Sequence, residues 1–296
     1  MQLNSSKRAK RPRAQPHSPT HPSLLDRLLL AWVRSHLLPF RRLGPNLLSE
    51  VCTFLGHWPS ILCQNEDRLY AFTPARGKWR SYSVCLPGLN KLRVLGAVQV
   101  GEQRWFLTTA SLPEEYAYIV SSNKAEIVRV NWRAACGLLY YFSQNRIYLF
   151  GGLHLSAPTK DANSFALTSR SSQSLDCMHQ SRSAFAPCWY GNVAYLIGGG
   201  SRFIETFHPV WGVFALLPDL MLPVGGHCNT VSVEDCIYIL GKKLVTWKPE
   251  TGEIRIQRGV RYRNPSACAV ACEGCLFLPL KGLHYLAISL IEFSYF

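Results

Sequence analysis

Six short apolar segments recur along this chain: ILC, RWFL, IYLF, AYLI, IYIL and LFL align on Leu62, Trp105, Tyr148, Tyr195, Tyr238 and Phe277, at intervals of 43, 43, 47, 43 and 39 residues. Such a period belongs to a supersecondary unit that buries its apolar faces against copies of itself, so it limits the fold more than any single motif does. A second pattern runs in phase with it. AFTPARGKW (71–79), TFHPVWGVF (206–214) and TWKPETGEI (246–254) each carry an aromatic residue, then Pro two positions on, Gly five on and a bulky residue seven on. The aromatics are Phe72, Phe207 and Trp247; Pro74, Pro209, Pro249 and Gly77, Gly212, Gly252 follow, with Trp79, Phe214 and Ile254 closing the units. Proline fixes φ on entry to a turn and glycine supplies positive φ on exit, so each copy predicts a hairpin. A weaker fourth copy, VSSNKAEI (120–127), keeps the seven-residue step.

Sheet modules of this length are in the range of propeller blades, which makes the fold class all-β. The 296 residues, 48% of them hydrophobic, suffice for a sizeable core. RIYLFGG and VAYLIGGG end their strands on glycine pairs, Gly151-Gly152 and Gly198-Gly199, and FHPVWGVFALLPDL follows the second with Phe214 where an aromatic is needed. In this the chain resembles kelch repeats, whose glycines stand where a Cβ would clash with the neighbouring backbone. The resemblance implies a kelch-type β-propeller of six blades over 58–296, and with it a non-enzymatic scaffold that binds a partner protein, the partner itself being unknown. Thr108-Thr109, Gly241-Lys242 and Pro279-Leu280 depart from the glycine pair, and the polar TSRSSQSLD (168–176) takes the place of an aromatic hairpin and predicts a long mobile loop. The first module lacks a partner for its starting strand, so N- and C-terminal strands are expected to close the ring.

Residues 1–22 carry five cations and four prolines, with too little apolar surface to order themselves, and predict a disordered basic arm. The net charge of +14 is uneven: residues 1–42 hold nine Lys/Arg against Asp26 alone, and the remainder 23 against 17. KRAKRPR is open to an import-signal reading and to a solubilising one. Residues 23–57 predict a short α-helical segment: Leu25, Leu28, Leu29, Trp32 and Val33 recur at helical spacing, followed by a second amphipathic stretch over 43–56. Leu43, Pro45, Leu47, Leu48, Val51, Phe54 and Leu55 resemble the opening of an F-box, which implies a ubiquitin-ligase core as partner; a plain helix capping a domain end is the other reading.

The chemistry is sparse. Cys268, Cys272 and Cys275 lack the second pair that a zinc site needs, and His227-Cys228 with Asp235 are neighbours only in sequence. Neither metal nor cofactor is expected, and no apolar run is long enough to span a bilayer. The eleven cysteines without a leading secretory pattern suit reduced thiols in the cytoplasm or nucleus. Arg255, Arg258, Arg261 and Arg263 beside Tyr262 form the candidate contact for an acidic partner; a nucleic-acid role through this cluster or the arm is the further alternative.

Overall fold

The computed structural model describes residues 60–65, 68–73, 78–82, 94–100, 104–110, 112–113, 115–121, 124–221, 226, 228–241, 243–257, 270–272, 275–279 and 285–289. Both helical expectations, the basic arm and the whole F-box-like segment lie outside them.

Among the described residues the chain is all-β, with a propeller-like arrangement of four blades. A first sheet holds β1 (Ile61–Asn65), β2 (Arg68–Thr73) and β3 (Lys78–Tyr82). The second, ordered in sequence, holds β4 (Val94–Gln99), β5 (Trp105–Thr109), β6 (Tyr116–Val120) and β7 (Ala125–Arg129). In the third, β8 (Gly137–Tyr141) and β9 (Arg146–Phe150) pair, a small hairpin of β10 (Leu153–His154) and β11 (Ala157–Pro158) intervenes, and β12 (Ala162–Ala166) and β13 (Ser171–Ser174) finish the sheet. After β14 (Phe185–Ala186), the fourth runs through β15 (Cys188–Tyr190), β16 (Val193–Leu196), β17 (Phe203–His208) and β18 (Val213–Met221). The fifth has β19 (Cys228–Val233), β20 (Cys236–Leu240), β21 (Leu244–Trp247) and β22 (Ile254–Gln257), with β14 added in parallel to β19. A last three-stranded sheet holds β23 (Val270–Cys272), β24 (Cys275–Pro279) and β25 (Tyr285–Ser289). The first strands of successive sheets approach one another, β4 to β8 and β15 to β19, and β1 lies within 8 Å of β24 between Cα atoms.

The aligned apolar segments are the second strands β5, β9, β16, β20 and β24; Leu62 alone falls on a sheet's first strand, β1. Their near-continuous hydrophobicity has a packing cause. Each blade is covered on both faces by its neighbours, so WFLTT is buried at every position and RIYLF at all but Arg146. The cores are the seams. Phe106, Ile119, Ile147, Leu149 and Phe165 fill one between the second and third sheets, and Tyr148, Phe150, Trp189, Leu196 and Phe207 fill the next.

The hairpin pattern is explained by the same seams. Phe72 faces Trp79, Phe207 faces Phe214 and Trp247 faces Ile254 across their strand pairs. Phe207 packs on Phe214 at 4.7 Å between ring centroids and on Phe150 of the preceding sheet at 5.4 Å, while Trp247 meets Tyr195 of its preceding sheet at 5.5 Å. The aromatics at the head of these two units thus reach back between blades. Gly212 and Gly252 have φ of +69° and +73°, and their N–H groups donate to the carbonyls of His208 and Lys248 at 2.8 and 2.9 Å. Pro74 and Gly77 lie outside the described residues.

Two expectations are corrected. VSSNKAEI is a shorter hairpin, in which Val120 pairs with Ala125 and Ser121 N–H donates to the Lys124 carbonyl at 2.8 Å, so Ile127 faces Tyr118 and the seven-residue step carries no pairing. TSRSSQSLD is no long loop: a turn through Arg170, at φ +56°, leads into β13, which pairs with β12 at four positions. Its four side chains are exposed, so hydrophobic alternation could not announce a strand that exists through backbone pairing alone.

Candidate partner-binding surface and the buried ion pair

Both glycine pairs adopt positive φ, +61° and +114° at Gly151 and Gly152, +79° and +68° at Gly198 and Gly199. A Cβ on Gly151 would stand 2.2 Å from the Arg182 carbonyl oxygen, and one on Gly198 2.2 Å from Cys228 Sγ. The close approach serves a bond between blades: Gly152 N–H donates to the Arg182 carbonyl, and Gly199 N–H to the Gly226 carbonyl, each at 2.8 Å.

Beneath this joint lies an ion pair that sequence reasoning missed. Arg182 and Glu205 are both fully buried. The Arg182 guanidinium donates to the carbonyls of Gly198 and Phe203 at 2.7 Å each, and its Nε lies 3.5 Å from Glu205 Oε2, an ionic contact too long and poorly aligned to be a hydrogen bond. Glu205 accepts from the backbone N–H groups of His179 (2.5 Å) and Gln180 (3.3 Å) and sits 3.0 Å from His179 Nδ1. Burial pulls Arg182 below its ordinary value, and the Glu205 charge offsets part of that pull. A signal for it existed: Arg133 and Arg182 both stand just ahead of a sheet's first strand, and Arg133 likewise finds a carboxylate, Asp161 at 3.1 Å. The pair ties a linker to a strand and does not face solvent.

Cys228 is a buried residue at the start of β19. Cys228 lies under Gly198, its Sγ–H donating to the Ile197 carbonyl at 3.2 Å, and desolvation pushes the thiol up to about 12. Asp235 lies past the far end of the same strand, bound to Lys248 at 2.8 Å, so no Cys/Asp site forms; His227 is outside the described residues. Cys272 and Cys275 face each other across the β23–β24 turn. Among the described residues no three His, Cys, Asp or Glu side chains converge as metal ligands, and no helix is long and apolar enough to cross a membrane.

Of the arginine cluster, Arg255 is exposed on β22, its Nε 2.6 Å from Glu253 Oε1; Arg258, Arg261, Tyr262 and Arg263 lie outside the described residues. The salient surface is elsewhere. In the β17–β18 turn Val210 is 64% exposed and Trp211 73%, Val213 at the start of β18 is 53% exposed, and the Trp211 ring stacks on His208 at 4.0 Å and 15°. The β21–β22 turn points to the same end, where Tyr190 donates to Glu250 at 3.3 Å. Comparing the three hairpin copies finds this feature in the sequence, because the place held by Trp211 is Arg76 in one copy and Thr251 in the other. The repeat needs no aromatic there. At the rim between the second and third sheets, an open groove of about 420 Å³ is lined by Glu115, Arg129, Val130, Asn131, Arg170 and Ser172.

Asp235 offers a local check on this end. Its hydrogen bond from Lys248 holds the carboxyl below its ordinary value. Lys248→Ala is expected to move the Asp235 titration up toward 3.8, read by NMR; no movement would show that the pair is not formed in solution. The pair's stabilising contribution is present above the ordinary carboxylate value and lost as pH falls through the depressed one; it is small because both groups are partly exposed.

No family model and no curated protein matches this chain.

Proposed function

We propose that the chain is a non-enzymatic scaffold that binds a partner protein, built as a kelch-like propeller of six blades. The two three-stranded sheets count as the fifth and sixth blades in this reading, and the approach of β1 to β24 supports closure of the ring between them. One observation carries the function. Phe207 and Phe214 are locked in the seam while Val210 and Trp211 on the turn between them, and Val213 at the start of β18, face solvent. An exposed Trp with flanking valines on a rigid hairpin is the kind of residue that supplies binding energy at protein interfaces, and packing gives no other reason for it.

The test pairs stability with capture. Trp211→Ser is expected to change unfolding free energy by no more than about 0.5 kcal/mol, as at an ordinary surface position. Affinity for partners identified by capture with the wild-type chain should fall at least about tenfold, the scale of an interface hot spot. Arg255→Ala is the comparison, a charged surface position outside the β17–β18 hairpin, expected to leave binding unchanged. If Trp211→Ser retained every partner at full affinity, the turn would not be the binding surface.

A further inference from the structure

The outer strand of the third sheet, β13, is built differently from the outer strands β7, β18 and β22 of the second, fourth and fifth sheets. Exposed edge strands present unpaired N–H and C=O groups, and proteins protect them with charged side chains, prolines or bulges. β7 carries Glu126 and Arg129, β18 carries Pro218 and Asp219, and β22 carries Arg255; β13 is SSQS, with neither charge nor proline, and all four of its residues are exposed. The phase of its ladder follows from Leu175, whose N–H donates to the Ala162 carbonyl at 2.9 Å. Pairing alternates along an antiparallel strand, so Ser171 and Gln173 bond inward to β12, and the N–H and C=O groups of Ser172 and Ser174 point outward.

Arginines flank this edge on both faces. On one, Arg146 donates to Gln173 Oε1 at 3.2 Å and to Ser164 Oγ at 2.7 Å, both neutral acceptors. On the other, the Ser172 hydroxyl donates to the Arg129 carbonyl at 3.4 Å, and Arg129 and Arg170 line the rim groove. The latter two pair with Glu115 and Glu126 at 3.3 and 2.8 Å, with side chains 38–77% exposed, so those pairs are weak and exchangeable.

We propose that the β13 edge is a strand-addition site for an extended acidic segment of a partner protein. Main-chain bonds to Ser172 and Ser174 hold the added strand, and its alternating side chains set carboxylates against Arg146 on one face and Arg129 and Arg170 on the other. This rests on the scaffold reading but uses a surface separate from the Trp211 turn.

The test uses the full chain and a fluorescein-labelled peptide of eight alternating threonines and glutamates, with its threonine–lysine counterpart, followed by fluorescence anisotropy. The acidic peptide is expected to bind and the basic one to bind at least tenfold more weakly. Ser172→Pro with Ser174→Pro removes the two outward N–H groups without touching the ladder to β12, and should weaken binding at least tenfold. Arg146→Gln with Arg170→Gln should weaken it and flatten its salt dependence. Amide exchange in the wild-type chain provides a readout that does not depend on how the proline variant folds: the β13 amides should slow when peptide is added. Trp211→Ser should leave peptide binding intact, which separates failure of this site from failure of the turn. Absence of acidic-peptide binding, or binding with no slowing in β13, would overturn the proposal. So would a dimer of this chain that the two prolines dissolve, because the edge would then belong to a second copy.

Discussion

Glu205→Ala is expected to lower the free energy of unfolding by about 3–5 kcal/mol, the cost of leaving a buried charge without its partner. The carboxylate does more than balance Arg182. It accepts from two backbone N–H groups of the linker, at His179 and Gln180, and alanine leaves these donors without an acceptor and the guanidinium charge without a counter-charge. Against a typical domain stability of about 5–15 kcal/mol this is a large fraction. Urea denaturation of the single variant and of the double variant Arg182→Met, Glu205→Leu measures it. The double variant removes the lone charge but leaves the N–H groups of His179 and Gln180 and the carbonyls of Gly198 and Phe203 without partners, so its loss relative to the single variant separates the charge from the backbone hydrogen bonds. If the single variant lost under about 1 kcal/mol, the carboxylate would not be the partner that matters to Arg182.

Gly151→Ala comes next in size, at about 2–5 kcal/mol. Of this about 1–2 kcal/mol is the strain of a side chain at left-handed φ, and about 1–3 kcal/mol the overpacking of a Cβ into the next blade. The second part is specific to this position, because the obstacle at 2.2 Å is a backbone carbonyl, that of Arg182, which no rotamer change can move aside. Gly252→Ala is the matched comparison. Its φ is +73°, yet a Cβ there meets nothing within 4 Å, so only the strain of about 1–2 kcal/mol applies. Equal losses in the two variants would mean that the blades can separate enough to admit a methyl group.

Much of the fold was legible because burial on both faces writes itself into sequence. Tyr148, Tyr195 and Tyr238 sit in apolar runs that their seams require, and the aromatic–Pro–Gly units mark hairpins, two of which send their first residue, Phe207 and Trp247, into the adjoining seam. Legibility stopped where the backbone alone decides. Ser171–Ser174 pairs as a strand with no buried side chain, and Val120 closes a turn two residues tighter than its spacing suggests. The site followed the same rule in reverse. Arg255 stands out by charge and lies exposed beside Glu253; Trp211 stands out only where the copies of the repeat differ. The ion pair of Arg182 with Glu205 escaped because its members are joined by the path of a linker and by no spacing along one element.

The bonds from Gly152 to Arg182 and from Gly199 to Gly226 also impose an order of events on the ribosome. In both, the donor is synthesised before its acceptor. A blade leaving the exit tunnel therefore has its sheet hydrogen bonds available but its glycine turn unlatched until the linker to the following blade emerges. A stall that leaves Ser174 outside the tunnel and Arg182 still inside it would hold the third sheet in that unlatched state, with one face still waiting for the blade that covers it.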